Sequence, residues 1–197
     1  WMGKEEFKVL MSYVEPYTFK DKFNMPKYII NAGSDEFFST DSWRFYYEEL
    51  PENKLIRYVP NANHSLSGEY LTNDLISFFY RIVNNIDLPI LDWDLVDGNL
   101  DVYLDYDGEY SVSIWKAFNQ DGRDFRLWQE GELWTKSDIK KNKDNRYNIK
   151  LEINNTGYQA IMVEFTLDQD SDFPLKISTG PFVLPNSYPY EKYESLK

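Results

Sequence analysis

Apolar positions in the first half of the chain recur at helical spacing, and short unbroken apolar runs lie between them. Phe7, Leu10, Met11 and Val14 fall at i, i+3, i+4 and i+7, one face of a helix that Pro16 stops. Lys27-Tyr28-Ile29-Ile30-Asn31-Ala32 follows Pro26 and ends at Gly33, the pattern of a short buried strand. Trp43, Tyr46, Tyr47 and Leu50 predict a second helix, with Thr40 or Asp41 as its N-cap and Pro51 as its end. Lys54 to Val59 predicts a second strand, closed by Pro60. Leu71, Leu75, Phe78, Phe79 and Ile82 predict a third helix, broken at Asp87-Leu88-Pro89. Helix, strand, helix, strand, helix is the order of a parallel sheet with crossover helices, so residues 1–89 read as an α/β unit.

Beyond Pro89 the period changes to two. Leu100, Val102 and Leu104 alternate with polar residues. So do Tyr110, Val112 and Ile114, then Tyr147, Ile149, Leu151 and Ile153, then Ile161, Val163, Phe165 and Leu167. Asp97-Gly98, Asp107-Gly108, Asp121-Gly122 and Asn154-Asn155-Thr156-Gly157 supply turn chemistry between them. Short strands at this spacing, without a helical stripe, predict an all-β, immunoglobulin-like sandwich over residues 90–197. Lys140 to Asn145 reads as a polar loop, and the segment after Pro185 as a frayed tail.

Composition narrows the function classes. The chain has 197 residues, 42% of them hydrophobic and 18% aromatic, enough to fold around a core. A net charge of −12 argues against nucleic acid, because phosphate recognition needs clustered Lys and Arg. It suits a cationic partner or a solvated acidic surface. The absence of cysteine excludes disulfides, thiolate metal sites and a cysteine nucleophile. No metal-ligand cluster or phosphate loop appears, and no cofactor is expected. The opening Trp1-Met2-Gly3-Lys4 has no signal-peptide pattern, and the lack of a methionine at position 1 suggests a mature end or a fragment of a longer protein.

The first half carries candidate chemistry in two loops. One predicted strand ends in Gly33-Ser34-Asp35-Glu36, and the next in Asn61-Ala62-Asn63-His64, with His64 29 positions after Asp35. Loops at the carboxyl ends of adjacent parallel strands lie side by side, so a carboxylate on one meets a histidine on the other. The carboxylate then holds the imidazole tautomer and stabilises the imidazolium, as in a serine hydrolase triad. The chain order, acid before histidine, is that of the α/β-hydrolases. The nucleophile of such a site belongs upstream on a G-x-S-x-G elbow, and none occurs here. Ser12, the only earlier serine besides Ser34, lies in a helical pattern. Other readings stand beside this one. Asp35 is good turn chemistry, Glu36 competes for the acid role, and Asp41 competes more weakly and suits a helix cap. His64 can be a surface or packing residue.

Several stretches resemble the PhoPQ-activated pathogenicity-related protein family. They are Met25-Pro-Lys-Tyr-Ile-Ile-Asn-Ala-Gly-Ser-Asp-Glu-Phe-Phe-Ser-Thr-Asp-Ser and Leu50-Pro-Glu-Asn-Lys-Leu-Ile-Arg-Tyr-Val-Pro-Asn-Ala-Asn-His-Ser-Leu. Ser113-Ile-Trp-Lys-Ala-Phe, Gly157-Tyr-Gln-Ala-Ile-Met-Val-Glu-Phe-Thr and Ser178-Thr-Gly-Pro-Phe-Val-Leu-Pro extend the likeness into the second half. The resemblance implies an exported, secreted or periplasmic protein with an α/β-hydrolase-like domain and a C-terminal β domain. It also implies an association with resistance to cationic host peptides. Asp35 falls at the family's acid and His64 at its histidine, with the nucleophile region ahead of the part seen here.

Two functions are therefore in play. In one, a parent hydrolase acts on an ester or amide, with Asp35 orienting His64 as general base. In the other, an exported non-catalytic protein captures cationic peptides on an acidic surface. The expected partners are the missing N-terminal part of the parent domain, a cationic peptide or small ester or amide substrate, and a second copy at an exposed sheet edge. Phe37-Phe38 could line a pocket or pack under a helix. Trp93, Trp115, Trp128 and Trp134 could form a stacking platform or fill a core.

Overall fold

The two apolar runs of the first half form β1 (Lys27–Ala32) and β2 (Lys54–Val59). They pair in parallel, in step from Lys27↔Lys54 to Ala32↔Val59, so both strands end at the same level. This computed structural model describes residues 3–66, 71–151, 156–189 and 191. Ile153 and the Asn154-Asn155 turn expected from the sequence lie outside the described residues. So do Ser67 and Gly68, beyond His64.

The α/β parallel sheet expected for residues 1–89 is corrected. Parallel pairing stops at β1 and β2, and every other strand pair among the described residues is antiparallel. The physical reason lies in the helices. α1 (Glu5–Val14) buries no residue, and α2 (Leu71–Val83) leads not to another parallel strand but to β3 (Ile90–Val96), which pairs antiparallel with β4 (Asn99–Asp105). The architecture is mostly β.

β3, β4 and β7 (Arg146–Lys150) form a three-stranded sheet. The larger sheet runs β10 (Phe182–Leu184), β8 (Tyr158–Leu167), β5 (Tyr110–Asn119), β6 (Thr135–Ile139), with β9 (Leu175–Ser178) on the same edge of β8 as β10. Alternation builds the core between these sheets. Leu100, Val102 and Leu104 from β4, Tyr147 and Ile149 from β7, and Ile161, Val163, Phe165 and Leu167 from β8 share one buried cluster. β8 buries its other face too. Ala160 and Met162 join Trp43, Tyr47, Ile56, Tyr58 and Trp134 in a second cluster, which explains the unbroken apolar run of that strand. Leu55 on β2 belongs to the first cluster, so buried packing is continuous across Pro89.

The helix expected over Trp43–Leu50 shrinks to a 3-10 turn, Ser42–Phe45. Asp41 spends its carboxylate on Arg44 and Arg123 and makes no cap, and Lys54 Nζ donates to the carbonyls of Tyr47 (2.6 Å) and Leu50 (2.9 Å), which a helix ending at Pro51 would leave open. Trp43 and Tyr47 are buried all the same, each against Trp93. A helical turn that the sequence pattern did not show, α3 (Leu127–Glu130), is closed by Gly131 at φ 74°, whose N–H bonds the Leu127 carbonyl.

α2 buries its predicted stripe only in part, with Leu71, Phe78 and Ile82 half-buried and Leu75 and Phe79 exposed. Its buried residues are Asp74, Ser77 and Arg81. Asp74 pairs with the buried Arg57 of β2 and accepts the Lys176 N–H of β9 at 3.0 Å. Arg81 reaches Asp168 at 2.6 Å. Phe78 packs on Tyr28, but Leu75, Ile76, Phe79 and Val83 face outward. The only charges in the helix are the inward Asp74 and Arg81, so its outward face is uncharged and largely apolar, with Thr72 and Asn73 exposed in the first turn.

Candidate active site

Because β1 and β2 end in step, the loops that follow leave the sheet together. Ser34 N–H bonds the Ala62 carbonyl at 3.1 Å and ties one loop to the other. Beyond that bond stand Asp35 and His64.

His64 Nδ1 lies 3.0 Å from Asp35 Oδ2. The other oxygen, Oδ1, accepts the backbone N–H groups of Phe37 (2.7 Å) and Phe38 (3.1 Å). The turn-residue reading and the imidazole-partner reading of Asp35 therefore describe different oxygens of one carboxylate. Glu36 does not reach the imidazole. Its Oε2 accepts the backbone N–H of His64 at 2.9 Å and holds the histidine's loop. Asp41 pairs with Arg44 and Arg123 and makes no side-chain cap, and Thr40 Oγ1 bonds the Gly33 carbonyl.

An ionised carboxylate only accepts, so the ring proton of a neutral His64 sits on Nδ1 and Nε2 keeps its lone pair. The side chain of Asp35 is 8% exposed and that of His64 46%, so the acid is sheltered and the imidazole open to an incoming molecule. Phe37 meets the imidazole edge-on at 4.9 Å and Phe38 lies at 5.6 Å, both rings largely exposed. They flank the histidine rather than packing under a helix. Beside the acid loop opens a groove of about 560 Å³, lined by Phe37, Phe38, Asp121, Arg123, Arg126 and Glu130; His64 does not line it.

Among the described residues no serine or threonine hydroxyl bonds the imidazole. Ser34 is fully buried with no partner for its Oγ, Ser65 Oγ bonds Asn63, and Ser12 Oγ bonds its own helix at Val9. No group of three potential metal ligands is found among the described residues, and no helix there is long and apolar enough to cross a membrane. The four tryptophans make no common platform. Trp134 is buried, Trp115 bonds Glu164, Trp93 stacks on Tyr47, and Trp128 is exposed beside Arg126.

Residues that spacing could not single out hold the two loops from outside. Trp134 bonds both Gly33 and Asn61, and the Leu127 N–H bonds the Ser34 carbonyl at 3.1 Å. No sequence signal marks them, because Trp134 lies 101 positions from Gly33 and 73 from Asn61, and the contacts run largely through backbone atoms.

These features define a mostly-β protein with an Asp–His pair displayed on paired loops. The chain belongs to the PhoPQ-activated pathogenicity-related protein family, whose model it matches over residues 1–126. It is also similar to autocrine proliferation repressor protein A of Dictyostelium discoideum, 28% identical over 209 residues. That match covers 92% of this chain and 42% of the relative, so the chain spans less than half the relative's length. No solved structure matches the chain.

Proposed function

We propose that Asp35 and His64 are the acid and general base of a hydrolytic site acting on an ester or amide. The nucleophile would come from polypeptide outside these residues. One observation carries this reading: Asp35 Oδ2 stands 3.0 Å from His64 Nδ1 while Oδ1 is locked into its loop. The carboxylate fixes the ring with Nε2 unprotonated, ready to take a proton from a hydroxyl and return it to a leaving group. The uncharged outward face of α2, and a relative more than twice as long, support a further segment packed against this one. The outer edge of β1 has no strand partner among the described residues, and a second copy is the alternative occupant there.

The second reading is an exported, non-catalytic protein that captures cationic peptides. It is favoured by the net charge of −12 and by the relative's name, which describes a proliferation repressor. Export to the periplasm or the medium, and a part in virulence, belong to both readings and rest on the family.

The deciding experiment is hydrolysis of activated esters by this chain and by a form extended upstream, each beside its His64→Ala variant. The hydrolase reading expects background rates from the short form, because a base without its nucleophile contributes little, and His64-dependent turnover from the long one. No turnover from either form would move the weight to peptide capture.

A further inference from the structure

The loops bearing Asp35 and His64 share only a short border, and a buried residue far along the chain is bonded to both. Trp134 Nε1 donates to the Gly33 carbonyl at 3.2 Å, two residues before Asp35. Its main chain closes a ring with the Asn61 side chain, three residues before His64. Trp134 N–H donates to Asn61 Oδ1, and Asn61 Nδ2 donates to the Trp134 carbonyl, both at 2.9 Å. Trp134 is 3% exposed and its indole bond to Gly33 is buried, while the pair of bonds to Asn61 is part-buried.

The partners are shaped for this contact. Asn61 sits at φ 53°, a left-handed conformation that asparagine tolerates, and its carboxamide supplies the donor and acceptor that a backbone pair demands. At Gly33 an added Cβ would fall 3.0 Å from the Val59 carbonyl oxygen and 3.2 Å from Trp134 Nε1, so a larger residue would push the two loops and the indole apart.

We propose that Trp134 is a positioning residue for the Asp35–His64 pair. By gripping Gly33 on one loop and Asn61 on the other, it sets the separation at which the carboxylate meets the imidazole. This rests on the acid–base reading above. The plain rival is that Trp134 only fills the second core. A filler changes global stability but not the protonation geometry of His64.

The chain has a single histidine, so imidazole nitrogen resonances of the intact protein report on His64 alone. Three variants are compared with the unaltered chain. Asp35→Asn gives the signature of an uncoupled ring. Trp134→Phe keeps the backbone bonds to Asn61 and deletes the indole donor together with part of the ring's volume. Asn61→Ala deletes the ring of two bonds and leaves the indole in place. In the unaltered chain the neutral imidazole is expected as the Nδ1–H tautomer, with that proton slowed in solvent exchange. Both Trp134→Phe and Asn61→Ala should move the nitrogen shifts toward the Asp35→Asn values. They should also speed exchange of the ring proton on the order of tenfold, the equivalent of about one hydrogen bond. Folded variants with unaltered His64 signals would overturn the proposal, as would unfolding of both, which is the behaviour of a core filler. If Asp35→Asn itself leaves His64 unchanged, the pair is not coupled and the acid–base reading fails with it.

Discussion

Asp35 faces His64 across 3.0 Å with one carboxylate oxygen and binds its own loop with the other. That division makes the two roles of the residue separable by substitution. Asn at position 35 keeps an oxygen for the Phe37 and Phe38 N–H groups but presents an amide donor to a ring nitrogen that is itself a donor. Asp35→Asn should therefore cost less than about 1 kcal/mol in urea unfolding, and Asp35→Ala about 1–2 kcal/mol. In a hydrolytically active parent, both should lower kcat by on the order of a thousandfold or more.

Glu36 anchors the histidine's loop through the backbone and not the ring. Glu36→Gln keeps an acceptor and should leave stability within about 0.5 kcal/mol. Glu36→Ala should speed amide exchange at His64 by roughly five- to tenfold, the loss of one exposed charged hydrogen bond. Amide exchange followed by NMR reads both variants.

How much of this was legible in the sequence follows from which interactions are local. β1 and β2 show as apolar runs closed by Gly33 and Pro60, and the strand residues Ile149, Ile161, Val163 and Phe165 show by alternation; all four are buried as the pattern demands. Pairing is not local. Nothing in residues 1–89 says that the parallel sheet stops at two strands or that α2 would lead into an antiparallel sheet. The turn at Ser42–Phe45 was hidden because Asp41, read as a cap, is instead held by Arg44 and by the distant Arg123. In α2 the apolar residues dominate the pattern, but Asp74 finds the buried Arg57 on β2 and Arg81 the half-buried Asp168 beyond β8, and those decide which face turns inward. The Asp35–His64 pair was readable because parallel strands put their following loops together. The grip of Trp134 was not.

The buried pair of Arg57 and Asp74 is predicted to be costly to break from one side. Asp74→Ala leaves a guanidinium in the interior without its carboxylate and takes away the acceptor for the Lys176 N–H. A loss of about 3–5 kcal/mol is expected in denaturant unfolding, with α2 amides losing exchange protection first.

Asp124 gives a pH dependence. The hydrogen bonds from the Arg126 side chain hold its carboxyl below the usual range, with burial opposing them and the Arg126 N–H adding to them. Because the folded-state pKa is the lower one, the contribution is complete above about pH 5 and is lost as pH falls through the carboxylate range, from about pH 4 down. Both side chains are partly exposed, so the effect should be about 1 kcal/mol or less. Unfolding midpoints of Asp124→Asn should sit below those of the unaltered chain at pH 7 and converge with them at low pH.

The central claim is that His64, oriented by Asp35, activates a nucleophile outside residues 1–197. The most direct measurement is reaction with a fluorophosphonate, which modifies activated serine hydroxyls, on the upstream-extended protein and its His64→Ala variant, with the modified residue located by peptide mass. The account predicts one labelled serine upstream of these residues, and a labelling rate lower by on the order of a thousandfold or more without His64. A label within residues 1–197, equal rates with and without His64, or no label at all would contradict it.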